Sequence, residues 1–184
     1  AREKVFTSSD HHFNKVKEFH SVMDESTQEE PIAWTPQDAR YRAGFKLEEL
    51  VEFLRAASNS EEDFNSSVAY LHQALDKAAD KVRSKSQAEV SLVGQVDALI
   101  DTLYFTYGSF VLMGVDPEQL FDIVHRANMG KIFPDGKAHF DPVTHKILKP
   151  DDWEEKYAPE GAIKEELERQ IQAYQRSIEQ KEEN

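Results

Sequence analysis

One apolar segment, residues 96–108, constrains the fold of this chain more than any other stretch. It reads VDALIDTLYFTYG, and its aliphatic and aromatic residues fall on nearly every side of a helix. A helix that is apolar all round is normally buried in a core. Gly114 follows shortly after and is a common helix terminator. The sequence therefore predicts a buried core helix over roughly 91–113.

Two carboxylates interrupt this apolar helix. Asp97 and Asp101 are four residues apart, so their side chains project from one face of the helix. No lysine or arginine lies within four residues of either acid, so neither can be neutralised along its own helix. Two unpaired acids in such an apolar setting indicate a metal-binding or catalytic role more than a structural one.

A second acidic set lies on the preceding part of the chain. Thr35, Pro36 and Asp38 form a helix start, with a cap, a proline and an acid, and they predict a helix over 36–57. Leucines and Val51 cover one side of this helix. The other side carries Glu48, Glu49 and Glu52. Taken alone, such acids are more often a solvated helix face.

The two acidic sets together suggest a cation site. If the helices over 36–57 and 91–113 pack side by side, they bring four or five carboxylates into one cleft. So many negative charges cannot all stay ionised at close range without a cation. Oxygen-only ligands favour a hard cation such as Mg²⁺, which also contacts substrate phosphates.

Helical spacing extends over most of the remaining chain. The segment 130–150 breaks the pattern with a PDGK turn that short β segments could flank. The sequence predicts an all-α fold, a bundle of about four to five helices with a short β/turn segment near 130–150 and a C-terminal helical tail. The further helices are expected over 11–23, 60–83, 116–127 and 160–184.

Charge and composition exclude several classes of function. The net charge of −13 repels phosphate backbones and anionic lipid surfaces, so neither nucleic acid nor a membrane is expected as a partner. The absence of cysteine removes disulfides, thiolate zinc sites and cysteine nucleophiles. No apolar run is long enough for a transmembrane helix, and the first residues lack a signal-peptide core. A cytoplasmic location is expected.

The ordered acidic motifs resemble a known superfamily. EELVE at 48–52, followed by DALIDTLYFTYG at 97–108, is similar to the MazG-like all-α NTP pyrophosphohydrolases. Their signature is ExxE on one helix and ExxD on the next. Glu49 and Glu52 match the first half, and Asp101 matches the last acid of the second. Ala98 stands where the family has its second-half glutamate, and Asp97 is the acid that could replace it.

The resemblance extends towards a subgroup similar to phosphoribosyl-ATP pyrophosphohydrolase. It is carried by VHRANMGKIFPDGK at 124–137, by KILKP at 146–150 and by VKEFH at 16–20. It implies a MazG-like domain over 1–153, with a helical insertion near 60–83. The remaining 154–184 form a charged helical tail.

This resemblance implies a nucleoside triphosphate substrate, hydrolysed to the monophosphate and pyrophosphate. It implies Mg²⁺, with Mn²⁺ as the alternative, held by Glu49, Glu52, Asp97 and Asp101. Glu48 or Glu49 would activate the water.

Further side chains are expected to bind the nucleotide. Asn128 and Lys131, with Lys137 as a weaker choice, are suited to phosphate oxygens. A helix cap with a dipole-matched lysine is the alternative for the first two. His20, Trp34 and Tyr104 are expected to contact the base. Packing in the core is the alternative role for these residues.

Two alternative functions and the oligomeric state can also be considered from the sequence. Ala98 is compatible with a catalytically degenerate helical oligomer that acts as a binding or regulatory protein. A redox carboxylate protein would need Glu-x-x-His pairs, and the sequence has none. A homodimer or higher homo-oligomer is expected, because the apolar surface exceeds what a small bundle covers. The expected interface residues are Phe105, Phe110, Val111, Met113, Ile163, Leu167, Ile171 and Tyr174.

Overall fold

The computed structural model describes residues 8–23 and 27–184, and this part of the chain is all-α, as predicted. It contains no β-strand, and the expected β/turn segment holds one isolated antiparallel bridge between Phe140 and Ile147. None of its helices combines the length and the apolar character that a bilayer crossing requires. The helices are α1 (His11–Met23), α2 (Pro36–Ala56), α3 (Glu61–Lys85), α4 (Leu92–Met113), α5 (Glu118–Met129), α6 (Trp153–Tyr157) and α7 (Glu160–Glu182).

Local signals account for where the helices begin and end. The Thr35 hydroxyl accepts a hydrogen bond from the Asp38 backbone N–H at 3.3 Å and caps α2. Ser60 caps α3 by accepting from the Asp63 backbone N–H at 3.1 Å. Gly114 adopts a φ of 73° and ends α4, because glycine enters the left-handed region without a steric cost.

The chain's contacts define two compact units, and the first contains α1, the second half of α4, and α5 to α7. In this unit, α5 packs against both α1 and α7. Lys15 of α1 pairs with Asp122 of α5, and the His12 ring stacks on Phe121 at 4.1 Å. The Gln170 amide of α7 holds the Asp116 peptide just before α5, with hydrogen bonds of 3.0 and 2.9 Å. Both neighbours therefore orient α5.

The second unit, Glu30–Asp101, contains α2, α3 and the first half of α4. α2 packs against α3, and Arg55 at the end of α2 pairs with Glu61 at the start of α3. The Gln95 side chain of α4 binds the Trp34 peptide through hydrogen bonds of 2.8 and 3.1 Å. The first half of α4 is thus held at the start of α2. Among the described residues, α2 does not pack extensively against this part of α4. The side-by-side arrangement considered from the sequence is therefore not observed.

The prediction that α4 is buried is wrong for the single chain. None of its residues is buried, and Tyr104, Val93 and Leu112 are 77, 80 and 90% exposed. The apolar side chains that are buried among the described residues are Met23, Ala127 and Trp153. Sequence pattern correctly predicted an apolar helix, but the neighbours in one chain leave its surface uncovered. An exposed apolar surface of this kind is typical of an interaction site.

Candidate active site

The acids of α2 lie along one exposed side of the helix. Glu48, Glu49 and Glu52 are all exposed, as are Leu47 and Leu50 of the opposite side. Because helix side chains at i, i+3 and i+4 share a face, the carboxylates of Glu48 and Glu49 both lie next to that of Glu52. The predicted ExxE pair therefore places two carboxylates next to each other on a regular helix.

The acids of α4 form a second exposed pair. Asp97 and Asp101 lie within an uninterrupted helix, with exposed Ala98 between them. Residues 8–23 and 27–184 contain no group of three or more Asp, Glu or His side chains that could hold a metal ion. One chain thus presents the two acid pairs separately, and the metal role of Glu49, Glu52, Asp97 and Asp101 stays a prediction. Their donor chemistry fits a hard cation, since all four are carboxylates.

The predicted phosphate-binding residues lie at and beyond the end of α5. Asn128 and Lys131 are half-buried, whereas Lys137 is exposed. The peptide of Ala127, just before Asn128, accepts a hydrogen bond from the Trp153 indole Nε1 at 2.7 Å. The Lys131 ammonium lies 6.0 Å from the centre of the same indole. The end of α5 is therefore tied to α6 at the point where Asn128 and Lys131 project.

A tight turn holds Lys137 beside a carboxylate. Gly136 adopts a φ of 78°, and the Lys137 backbone N–H donates to Asp135 at 2.9 Å. His139 also bonds to Asp135, at 2.7 Å, while its ring stacks on Phe133 at 3.9 Å. The hydrogen bond with His139 and that from Lys137 lower the pKa of Asp135. Because the ionised Asp135 lies beside it, Lys137 is expected to attract an anion less strongly than Lys131 does.

The residues predicted for base recognition have diverse surroundings. In the first unit, His20 of α1 is half-buried and Tyr104 of α4 is 77% exposed. In the second unit, Trp34 is 38% exposed, and its peptide is held by Gln95. Nothing in these surroundings tests a contact with a nucleobase, so all three assignments stay predictions.

Several ordered residues were missed by sequence reasoning. His12 packs between Phe121 and Tyr107, with its Nδ1 3.3 Å from the Tyr107 hydroxyl. Trp153 anchors α6 on α5, and Lys149 lies 4.2 Å from the Trp153 ring centre. The isolated tryptophan after the KILKP segment was the available signal, because a lone large aromatic in a charged stretch often packs against a neighbouring element.

Comparison with known proteins decides the family. Residues 16–128 match the family model described as phosphoribosyl-ATP pyrophosphohydrolase. The chain belongs to this family. The match includes both acid pairs and reaches Asn128 at the end of α5. The family prediction drawn from the acidic motifs is therefore confirmed.

A solved structure agrees with this assignment. The chain is similar to a protein from Exiguobacterium sp. 255-15 that is described as a "putative NTP pyrophosphohydrolase". The two share 37% sequence identity with a TM-score of 0.81, over 89% of this chain and 98% of the other. No curated protein sequence matches the chain significantly. Family and structure together support nucleotide pyrophosphohydrolase activity in general terms.

Proposed function

We propose that this protein is a Mg²⁺-dependent nucleoside triphosphate pyrophosphohydrolase that releases a nucleoside monophosphate and pyrophosphate. The observation that carries the proposal is the family match over 16–128, which includes the acid pairs of α2 and α4. The net charge of −13 also fits, because an acidic protein needs a metal ion to receive a polyanionic nucleotide.

The side chains divide the work according to their chemistry. Bound Mg²⁺ would neutralise phosphate charge and acidify a water molecule. Glu49, Glu52 and Asp101 hold the metal in this proposal, and Asp97 supplies the acid that Ala98 cannot. Glu48, or an oxygen of Glu49 left uncoordinated, accepts the proton of the attacking water. No covalent intermediate on the protein is required.

The nucleotide needs contacts beyond the metal. Asn128 and Lys131 at the end of α5 donate hydrogen bonds to phosphate oxygens, with a smaller contribution from Lys137. For the base, we propose His20, Trp34 and Tyr104. A single charge-assisted hydrogen bond from Lys131 contributes about 1.5–3 kcal/mol, whereas one stacked ring contributes about 0.5–1.5 kcal/mol. Loss of Lys131 is therefore expected to weaken nucleotide binding more than loss of any one ring.

We also propose that a second copy of the chain covers α4. Val111, Leu112 and Met113, at the end of this helix, are 77, 90 and 64% exposed. On α7, Ile171 and Tyr174 are 56 and 67% exposed, and both lie on the apolar stripe of that helix. A homodimer, or a larger assembly built from it, would remove this surface from water. Light scattering at micromolar concentration should show at least two copies, and a monomer would contradict the proposal.

One assay separates this function from its main alternative. Purified protein is incubated with each common NTP and dNTP in the presence of Mg²⁺ or Mn²⁺, and released pyrophosphate is measured. The proposed enzyme releases pyrophosphate from at least one of them, and a chelator abolishes the release. A catalytically degenerate oligomer, for which the substitution by Ala98 is the specific observation, would release none from any nucleotide with either metal.

A further inference from the structure

One indole in the first unit collects two lysine side chains from different segments. Trp153 is 9% exposed, so it is among the few buried apolar residues of the described chain. The Lys149 ammonium lies 4.2 Å from its ring centre and the Lys131 ammonium lies 6.0 Å from it. Both distances fall within the roughly 6 Å over which a cation is attracted to an aromatic face.

The indole that both lysines approach is held in place by a hydrogen bond. Its Nε1 donates a 2.7 Å hydrogen bond to the carbonyl of Ala127, which is itself 3% exposed. On the same side of α5, the Tyr157 ring lies so close to Gly130 that a Cβ atom there would be 2.4 Å from its Cγ. α6 therefore contacts α5 both before and after Asn128, and its Trp153 ring lies within about 6 Å of the Lys131 ammonium.

The geometry points to Lys149 as a further phosphate-binding residue, which Trp153 positions at the ring that Lys131 also approaches. Both ammonium groups lie within about 6 Å of one ring centre, so one extended anion with several oxygens can contact both. Lys149 forms no ion pair with any described residue. The polyphosphate of a nucleotide, or the pyrophosphate product, is the anion with oxygens enough to reach two lysines. This inference rests on the proposed function, and it adds a residue to the phosphate contacts.

Neighbouring acids limit the form of the ligand. Asp151, Glu154 and Glu160 line a cavity of about 320 Å³ that also borders Lys149 and Trp153. Asp152 is already engaged by Lys156 at 2.7 Å. Free pyrophosphate would be repelled by the remaining carboxylates, whereas its Mg²⁺ complex carries less negative charge. We therefore expect the lysine pair to bind the magnesium complex.

Tryptophan emission offers a direct measurement. The chain has two tryptophans, so Trp34→Phe leaves Trp153 as the remaining emitter. Trp34 is partly exposed and its hydrogen bonds use backbone atoms, so phenylalanine preserves them. Magnesium pyrophosphate is titrated into this variant, with magnesium chloride alone as the blank. A saturable change in Trp153 emission is expected as the anion draws Lys149 from the ring.

Three lysine variants in that background test the assignment. Lys149→Ala should raise the midpoint of the titration about ten-fold or more, the loss that removing one charge-assisted hydrogen bond produces. Lys149→Arg should recover part of the affinity, because the positive charge remains. Lys146→Ala is the matched control, an exposed lysine three residues away with no contact to the indole, and should stay within two-fold. The inference is overturned if Lys149→Ala and Lys146→Ala give equal midpoints, or if pyrophosphate causes no saturable change.

Turnover separates this inference from the proposed function. In the otherwise unchanged protein, Lys149→Ala should raise KM for the nucleotide about ten-fold or more while kcat changes less, since the lysine contacts phosphate before and during the reaction. If the parent protein hydrolyses no nucleotide but the titration depends on Lys149, the proposed function fails and the anion site stands. If hydrolysis is present and neither KM nor the titration responds to Lys149, the reverse holds.

Discussion

Replacing Gly130 with alanine should destabilise the protein through one contact. Gly130 ends α5 with a φ of −66°, which every residue adopts, so the backbone does not require glycine there. A Cβ atom at this position would lie 2.4, 2.6 and 2.7 Å from three carbons of the Tyr157 ring. Ordinary carbon contacts are about 3.5–4.0 Å, so the ring must move by about 1 Å or more.

The size of the effect follows from what moves with the ring. Tyr157 belongs to the five-residue α6, whose other end holds the 2.7 Å bond from Trp153 to Ala127. Overpacking of this kind costs about 1–3 kcal/mol, and alanine returns up to about 1 kcal/mol by restricting the unfolded chain. A net loss of about 1 kcal/mol lowers Tm by about 2–4 °C in a chain of this size.

Thermal and urea unfolding of matched variants measure this cost. Gly161→Ala, in the first turn of α7, is the control, because nothing lies within 4 Å of the place that its new methyl group would occupy. It should leave Tm unchanged or slightly higher. In a Tyr157→Ala background the penalty of Gly130→Ala should largely disappear, since the obstructing ring is gone. A Gly130→Ala protein as stable as the parent would refute the reasoning.

Three further outcomes are expected. Asp101→Asn should lower Mg²⁺-dependent pyrophosphate release by about two orders of magnitude or more. Its Tm should hold or rise, because repulsion among the acids is relieved. A variant that unfolds, but whose folded fraction keeps full specific activity, would contradict the metal role. Trp153→Phe removes the donor to the Ala127 carbonyl and should cost about 1–3 kcal/mol in urea unfolding; an unchanged midpoint would show that this bond is dispensable. Hydrogen bonds, chiefly from Arg169, lower the pKa of Glu166 to about 2 from its usual 4.5. Its contribution to stability is therefore complete above pH 4.5 and is lost as the pH falls towards 2, and Glu166→Gln should flatten the unfolding free energy across that window.

Local order could be predicted from the sequence because its causes are local. A cap and its bonding partner at Thr35 and Asp38 lie within one turn, so the start of α2 was visible in the residues themselves. Gly114 likewise ended α4 where expected. The acid pairs were visible for the same reason, since i, i+3 and i+4 spacing determines which side chains share a helix face. The family followed from the order of those pairs.

Tertiary structure decided what one helix finds beside it. Apolar periodicity states that the surface of α4 avoids water, but it does not say which surface covers it, and in the single chain Leu112 is 90% exposed. The bond from Trp153 to Ala127 joins residues 26 positions apart, and the approach of Lys149 to the same ring depends on that placement. Such contacts form between segments that are distant in sequence, so their partners are selected by packing and by the need of each buried polar group for a hydrogen bond. The local spacing of residues in the sequence does not determine the packing or the partners of buried polar groups.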